Sequence, residues 1–438
     1  MEADKTTLKD LAIFIADEEQ SVLSRLDFAR TTNGREQLQR NLATPLQGIK
    51  AIQDIQNTIR LIASKKEQWP GHISNGTIMV VERFYGTSID MLPRQVSSWD
   101  AFTYKIFHGA DYSLVKYSVI HCFDLLKGMT EMLSLFSAAD CPAPLKKLLD
   151  DAARIVKEPH LAIVSRYRKM SQAPIPKQLE LAQFLRHHYK NQMLTLINIY
   201  AQLDAWWAMS EAMLTYNMVF PEFIESDESF LEIEGLYHIL LSSPTPYNVQ
   251  LSRHTNFLFL TGANMAGKST FIKSVGTAVF LAHTGMGVPA SHMKLAVFDG
   301  LLSNINVMDN LVKGESYFYN EVQRIKATIN KVNDGRKWLI LIDELFKGTN
   351  VQDAMKCSLV VIEGLLKIKN SLFILSTHLY EIGEDLRKYP NIQFNYFETT
   401  AYDGQLHFSY VLKEGISNDR LGYLILKREG VVKMLEDL

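Results

Sequence analysis

The sequence predicts an α plus α/β chain: a helical N-terminal part, then a part with helices packed on a mostly parallel sheet. Two observations predict this. Residues 8–26, 34–42, 46–64 and 114–136 repeat apolar side chains three and four apart, the period of a helix with one buried face. Beyond an acidic segment at 222–234 the pattern changes to short apolar runs at 256–260, 338–342 and 372–375, separated by helix-length periodic stretches. Strands alternating with helices imply parallel pairing with both sheet faces covered.

Within the first part, residues 179–216 form an apolar-striped run without Pro or Gly, and predict one extended helix. Pro174 and Pro176 break the chain just before it. The switch between patterns falls near residue 220, giving a helical domain over 1–220 and an α/β domain over 221–438. A chain of 438 residues has room for such domains, each with its own core.

Composition narrows the class. Hydrophobic residues make up 47% and charged residues 21%, as in an ordinary globular protein. No run reaches the roughly 18 apolar residues of a membrane span. The opening MEADKTTLKD carries acids and no apolar core, unlike a secretory signal. Cys122, Cys141 and Cys357 are too widely spaced for a disulfide framework or metal cluster, and read as small buried hydrophobes in a reducing cytoplasm. A net charge of −2 gives no overall attraction to nucleic acid. Locally, however, residues 154–190 hold eight Lys and Arg against Glu158 and Glu180, a stretch able to lie against phosphates.

The chemistry concentrates after the first strand. Leu258-Phe-Leu260 runs into Thr261-Gly-Ala-Asn-Met-Ala-Gly-Lys-Ser-Thr270 and then an apolar-periodic helix. This is G-x-x-x-x-G-K-S in the strand–loop–helix setting of a phosphate-binding loop. Gly262 and Gly267 permit backbone angles that aim successive N–H groups of Ala263, Asn264, Met265, Ala266 and Thr270 at phosphate oxygens. Lys268 can reach the β- and γ-phosphates, and Ser269 can ligate Mg²⁺. ATP and Mg²⁺ are the implied ligands.

The second half of the site is the apolar run Trp338-Leu-Ile-Leu-Ile342 followed by Asp343-Glu344. A buried strand that delivers a carboxylate to its C-terminal end is the Walker B arrangement. Asp343 positions the metal, and Glu344 is placed to polarise an attacking water. A third apolar run ends in Ser376-Thr377-His378, where His378 could sense the γ-phosphate.

With these residues in place, the C-terminal part resembles the ATPase domain of the MutS mismatch-repair family. TGANMAGKST is similar to the family's T-G-P-N-M-G-G-K-S-T. Asp343-Glu-Leu-Phe-Lys-Gly-Thr-Asn350 resembles D-E-[ILV]-G-R-G-T-S, with Lys347 in place of the arginine. Ser376-Thr-His-Leu-Tyr-Glu-Ile382 resembles A-T-H-Y-x-E-L. Asp309-Asn-Leu-Val-Lys-Gly-Glu-Ser-Tyr-Phe318 resembles D-D-L-x-x-G-x-S-T-F, with Glu321 matching a family Glu five residues on. The resemblance implies an ABC-type P-loop ATPase and a homodimer in which Ser316 reaches the partner's nucleotide. Tyr247 and Tyr410 would then be the aromatic contacts to adenine.

More weakly, residues 26–35 and 42–46 resemble the opening of the family's core and lever domain, L-D-x-T-x-T-x-x-G-x-R…L-x-x-P-L, and Leu203-Asp204 the returning lever helix. Only some twenty residues precede that region, with no room for the family's mismatch-reading and connector domains, and 155–185 is too short for its clamp. The resemblance therefore implies a cytoplasmic ATP-hydrolysing DNA-repair or recombination protein that acts on mismatched or branched DNA, with a repair-protein partner possible and no membrane. The competing expectation is a nucleotide-switched protein-binding module. A transporter-type ATPase fits poorly, because L-S-G-G-Q is missing from the sequence.

Overall fold

In the computed structural model, residues 15–19, 90–91, 94–95, 138–139, 306–316, 403–404, 418–430 and 437–438 lie outside the described residues. The compact units are not consecutive stretches of chain. One contains Met1–Arg25, Pro45–Ile52 and Met213–Leu438; the other contains Leu26–Thr44 and Gln53–Ala212. Linear order suggests a single crossing near residue 220, whereas compactness returns two N-terminal segments to the C-terminal unit.

That unit holds two sheets. Their strands are β1 (Glu2–Ala3), β2 (Glu222–Ile224), β3 (Phe230–Leu236), β4 (Tyr247–Ser252), β5 (Phe257–Thr261), β6 (His292–Ala296), β7 (Gly300–Asn304), β8 (Trp338–Asp343), β9 (Leu372–Ser376), β10 (Ile392–Tyr402) and β11 (Gln405–Glu414). The larger sheet runs β1-β7-β8-β9-β5-β10-β11. Each neighbouring pair is parallel except β10 with β11. β5, β8 and β9 are buried along their whole length, which is why they read as unbroken apolar runs. Phe257, Phe259, Trp338, Ile340 and Phe373 supply much of the core around them.

The smaller sheet, β2-β6-β3-β4, was not legible as such. Its strands β3 and β4 alternate buried and solvent-facing side chains, a period of two that a search for continuous apolar runs passes over.

In the helical unit the expected helices appear, with altered ends. Helix Gly109–Leu135 covers the predicted 114–136 except Phe136, and Thr32–Ala43 covers 34–42. The predicted single helix over 179–216 is instead two, Ile175–His188 and Lys190–Thr215. The break is at Tyr189 (φ −127°, ψ 14°), whose ring is buried and whose hydroxyl donates to the Ile155 carbonyl at 2.6 Å. A side chain anchored to another element sets this break, so Pro and Gly gave no warning. Pro176 does not precede the first of these helices but sits in its opening turn, where the missing N–H costs nothing. The predicted helix over 8–26, which lies almost wholly in the other unit, is likewise not continuous: Lys5–Asp10 and Val22–Leu26 are helical, with a turn beginning at Leu11. Of the three cysteines only Cys122 is buried; Cys141 and Cys357 are partly exposed, contrary to the uniform expectation.

One buried carboxylate explains both weakly resembling N-terminal motifs. Asp204 is fully buried and accepts from the backbone N–H of Arg30 (3.0 Å) and of Thr31 (2.9 Å), and from the Thr31 hydroxyl (2.7 Å). The Thr31 hydroxyl in turn accepts from the Gly34 N–H and caps helix Thr32–Ala43. A Cβ on Gly34 would lie 2.1 Å from the Asp204 carboxylate, so only glycine fits there. Burial pushes the Asp204 carboxyl up, and these donors oppose it. Replacing Asp204 with Ala strands three donors at a cost of roughly 1–3 kcal/mol each. We expect Asp204→Ala to destabilise the helical unit by about 4 kcal/mol. Urea unfolding followed by far-UV circular dichroism checks this, and an unchanged midpoint would refute it.

Candidate nucleotide site

The C-terminal ends of three parallel strands set the site. Leu260 on β5 and Asp343 on β8 both register with Ser376 on β9, so the three post-strand loops emerge side by side. Cross-links between the loops fix them: the Thr377 N–H donates to the Leu260 carbonyl and the Glu344 N–H to the Ser376 carbonyl, each at 2.9 Å.

The loop after β5 turns on residues with positive φ, namely Gly262 (141°), Met265 (67°) and Gly267 (108°). Gly267 then opens helix Lys268–His283, whose N-terminus carries free N–H groups and a partial positive charge. Lys268 is 6% exposed, and its ammonium donates to the carbonyls of Gly262 (2.7 Å) and Ala263 (3.0 Å). Burial lowers its pKa to about 8, against the opposing attraction of Glu344 and Asp343.

Ser269 and Asp343, predicted to share a metal, meet here: the Ser269 hydroxyl donates to Asp343 Oδ2 at 2.5 Å. The Ser376 hydroxyl donates to the other oxygen, Oδ1. One hydroxyl and one carboxylate, both hard oxygen donors at the mouth of a phosphate loop, suit Mg²⁺, which takes few protein ligands when phosphates complete its shell. Among the described residues no cluster of three His, Cys, Asp or Glu side chains offers an alternative metal cage.

Glu344 takes the left-handed conformation (φ 65°) and turns its carboxylate back over the site. Its Oε1 accepts from His378 Nε2 at 2.7 Å, and its Oε2 lies 3.3 Å from the Lys347 ammonium. Burial disfavours the charge, but the bond to His378 and the electrostatic attraction of His378 and Lys347 outweigh it, holding the carboxyl at about 2. Lys347, noted in the sequence only as a departure from arginine, is thus part of this cluster. No periodicity or spacing signals such a pairing.

A cleft of about 430 Å³ joins these groups. Its walls are Ala263, Asn264, Met265, Gly267, Lys268, Ser269, Thr270 and Glu344, together with Tyr247 and Tyr410. Both tyrosines therefore reach the loop after β5; a Cβ on Gly267 would sit 3.4 Å from the Tyr410 ring and 3.6 Å from the Tyr247 hydroxyl. Ala266 is buried beneath the loop. Ser316 lies outside the described residues.

A family model, MutS domain V, matches residues 258–435, the stretch that contains every one of these loops. The C-terminal part of the chain thus carries a MutS domain V. Proteins described as DNA mismatch repair protein MutS are similar to it: that of Petrotoga mobilis is 27% identical over 245 residues, 55% of this chain and 30% of the relative. That of Staphylococcus haemolyticus is 28% identical over 56% of this chain and 28% of its own length. That of Anaplasma phagocytophilum is 29% identical over 53% and 28%. The match to these MutS relatives thus spans less than a third of their length. Among the described residues, no helix is long and apolar enough to cross a membrane.

Proposed function

We propose that this chain is a MutS-type ATPase, converting ATP and water to ADP and phosphate, and that it works on mismatched or branched DNA as a nucleotide-gated homodimer. The observation that carries the reading is the convergence of Lys268, Ser269 and Glu344 on one cleft at the carboxyl edge of a parallel sheet, with Asp343 bonded to Ser269. The backbone N–H groups of 263–270 cradle the phosphates, and Lys268 exchanges its bonds to loop carbonyls for bonds to phosphate oxygens. Ser269 and Asp343 would hold Mg²⁺, which would supply neutralisation of phosphate charge. Tyr247 and Tyr410 flank the base.

Glu344 stays ionised at neutral pH and accepts a hydrogen bond from the attacking water, orienting it towards the γ-phosphorus. The new P–O bond forms as the bond to the β-phosphate oxygen breaks, and the water proton passes through the carboxylate to the released phosphate. His378 keeps Glu344 aimed, a role added to the γ-phosphate sensing suggested by its place at a strand end. Ser316 completes the site in trans.

DNA contact is assigned to the helical unit. Lys157, Arg166, Arg168, Lys169 and Lys190 are all exposed there, and His160 stacks on Phe184 at 4.4 Å between them. Five phosphate contacts give an expected slope of about −4.5 in log K against log salt for a duplex. Fluorescence anisotropy with mismatched duplex, matched duplex and four-way junction tests this. The expected result is binding that weakens steeply with salt; absence of binding at low salt removes DNA from the reading.

A further inference from the structure

The loop that follows Glu344 returns towards helix Val351–Leu365 through a second non-glycine residue in the left-handed region, Phe346 (φ 60°). Such a conformation persists only where its surroundings hold it. A side chain from another helix braces the loop just beyond it. Glu321 accepts the backbone N–H of Lys347 on one carboxylate oxygen (3.1 Å) and of Gly348 on the other (3.2 Å). Two successive N–H groups converging on one anion form a small anion nest, occupied here by the protein's own carboxylate. Glu321 is 4% exposed, so the pair of bonds is sheltered from competing water. A ring contact reinforces it, Phe318 lying 5.6 Å from Phe346.

Two consequences follow from this geometry. First, by fixing the Lys347 backbone, Glu321 decides where the Lys347 ammonium lies, which is against Glu344. Second, Glu321 stands in the second turn of helix Tyr317–Val332, whose first residue follows Ser316 directly in sequence. A displacement of the start of that helix would therefore be carried to the loop bearing Glu344 through two hydrogen bonds and one ring contact.

We propose that Glu321 is a positioning residue for hydrolysis: it ties helix Tyr317–Val332 to the loop after β8 and so sets the alignment of Glu344, without touching nucleotide. This rests on the ATPase reading above. Glutamine can accept only one of the two N–H bonds and presents an N–H₂ group to the other. Glu321→Gln is expected to lower kcat about 30-fold while KM and the affinity for a fluorescent ATP analogue stay within threefold. Glu321→Asp, which keeps the charge on a shorter stem, should recover part of the loss.

Amide hydrogen exchange at Lys347 and Gly348 is the independent readout, with protection in the parent chain falling at least tenfold in Glu321→Gln. Unchanged protection, or turnover and nucleotide affinity falling together, would overturn the role. If the parent chain proves inactive, the ATPase reading fails, and lost protection in Glu321→Gln would still establish the tether.

Discussion

Glu344→Gln is expected to reduce ATP turnover by a factor of roughly 10²–10⁴, the range over which a positioned acid–base group contributes, while ATP remains bound. The amide has nearly the shape of the carboxylate, so packing around the residue should survive. What disappears is the negative charge that orients and polarises water. Phosphate release under single-turnover conditions measures the rate, and equilibrium dialysis with ATP measures retention. Because hydrolysis is proposed to open the dimer, the variant should accumulate as a nucleotide-bound dimer in sedimentation velocity. A monomer carrying ATP would argue against the gating, and near-normal turnover against the assignment of Glu344 itself.

Lys268→Ala should act on the preceding step. The ammonium is nearly buried and already bonded to two loop carbonyls, so its desolvation has been met in folding rather than at the moment of binding. Charge-assisted bonds to phosphate are worth about 3 kcal/mol, and their loss predicts an ATP affinity weakened by about two orders of magnitude. Folding stability should not fall in proportion, since the substitution also removes a buried charge.

The same residue predicts a pH dependence. With its pKa lowered to about 8, Lys268 loses its proton as pH rises through that value, and binding must then bear the work of reprotonation. ATP affinity of the parent chain should be constant between pH 6.5 and 7.5 and weaken above 8; Lys268→Ala should lack that alkaline limb. Calorimetric titration at several pH values decides it. A parent affinity flat to pH 9.5 would contradict the arrangement.

Sequence reading and structure agree most closely where local pattern and burial coincide. β5, β8 and β9 are each buried on both faces, so apolar runs alone marked them, and the residues ending those runs fell at adjacent strand ends as expected. The second sheet was missed because β3 and β4 alternate buried and solvent-facing side chains and so form no continuous apolar run. Tyr247 and Tyr410 illustrate the intermediate case. Each resembled a base contact only through its neighbours in sequence, and only the chain's return through β4 and β11 brought both to Gly267.

By itself the sequence determined the chemical elements of the proposed site: a glycine-bounded loop with its lysine and serine, and an acid pair at a strand end. Glycine conformation and strand burial are local properties and are written locally. Only the tertiary structure decided how those elements are held. It set Asp204 beneath the Thr31 and Gly34 turn, divided the long helix at Tyr189, enclosed Glu344 between His378 and Lys347, and placed Glu321 under the loop beyond it. Those contacts join residues 26 to 174 positions apart, or turn on backbone angles that no side-chain pattern encodes. Their energy comes from pairing buried charges and donors, which exists only once the partners have been brought together.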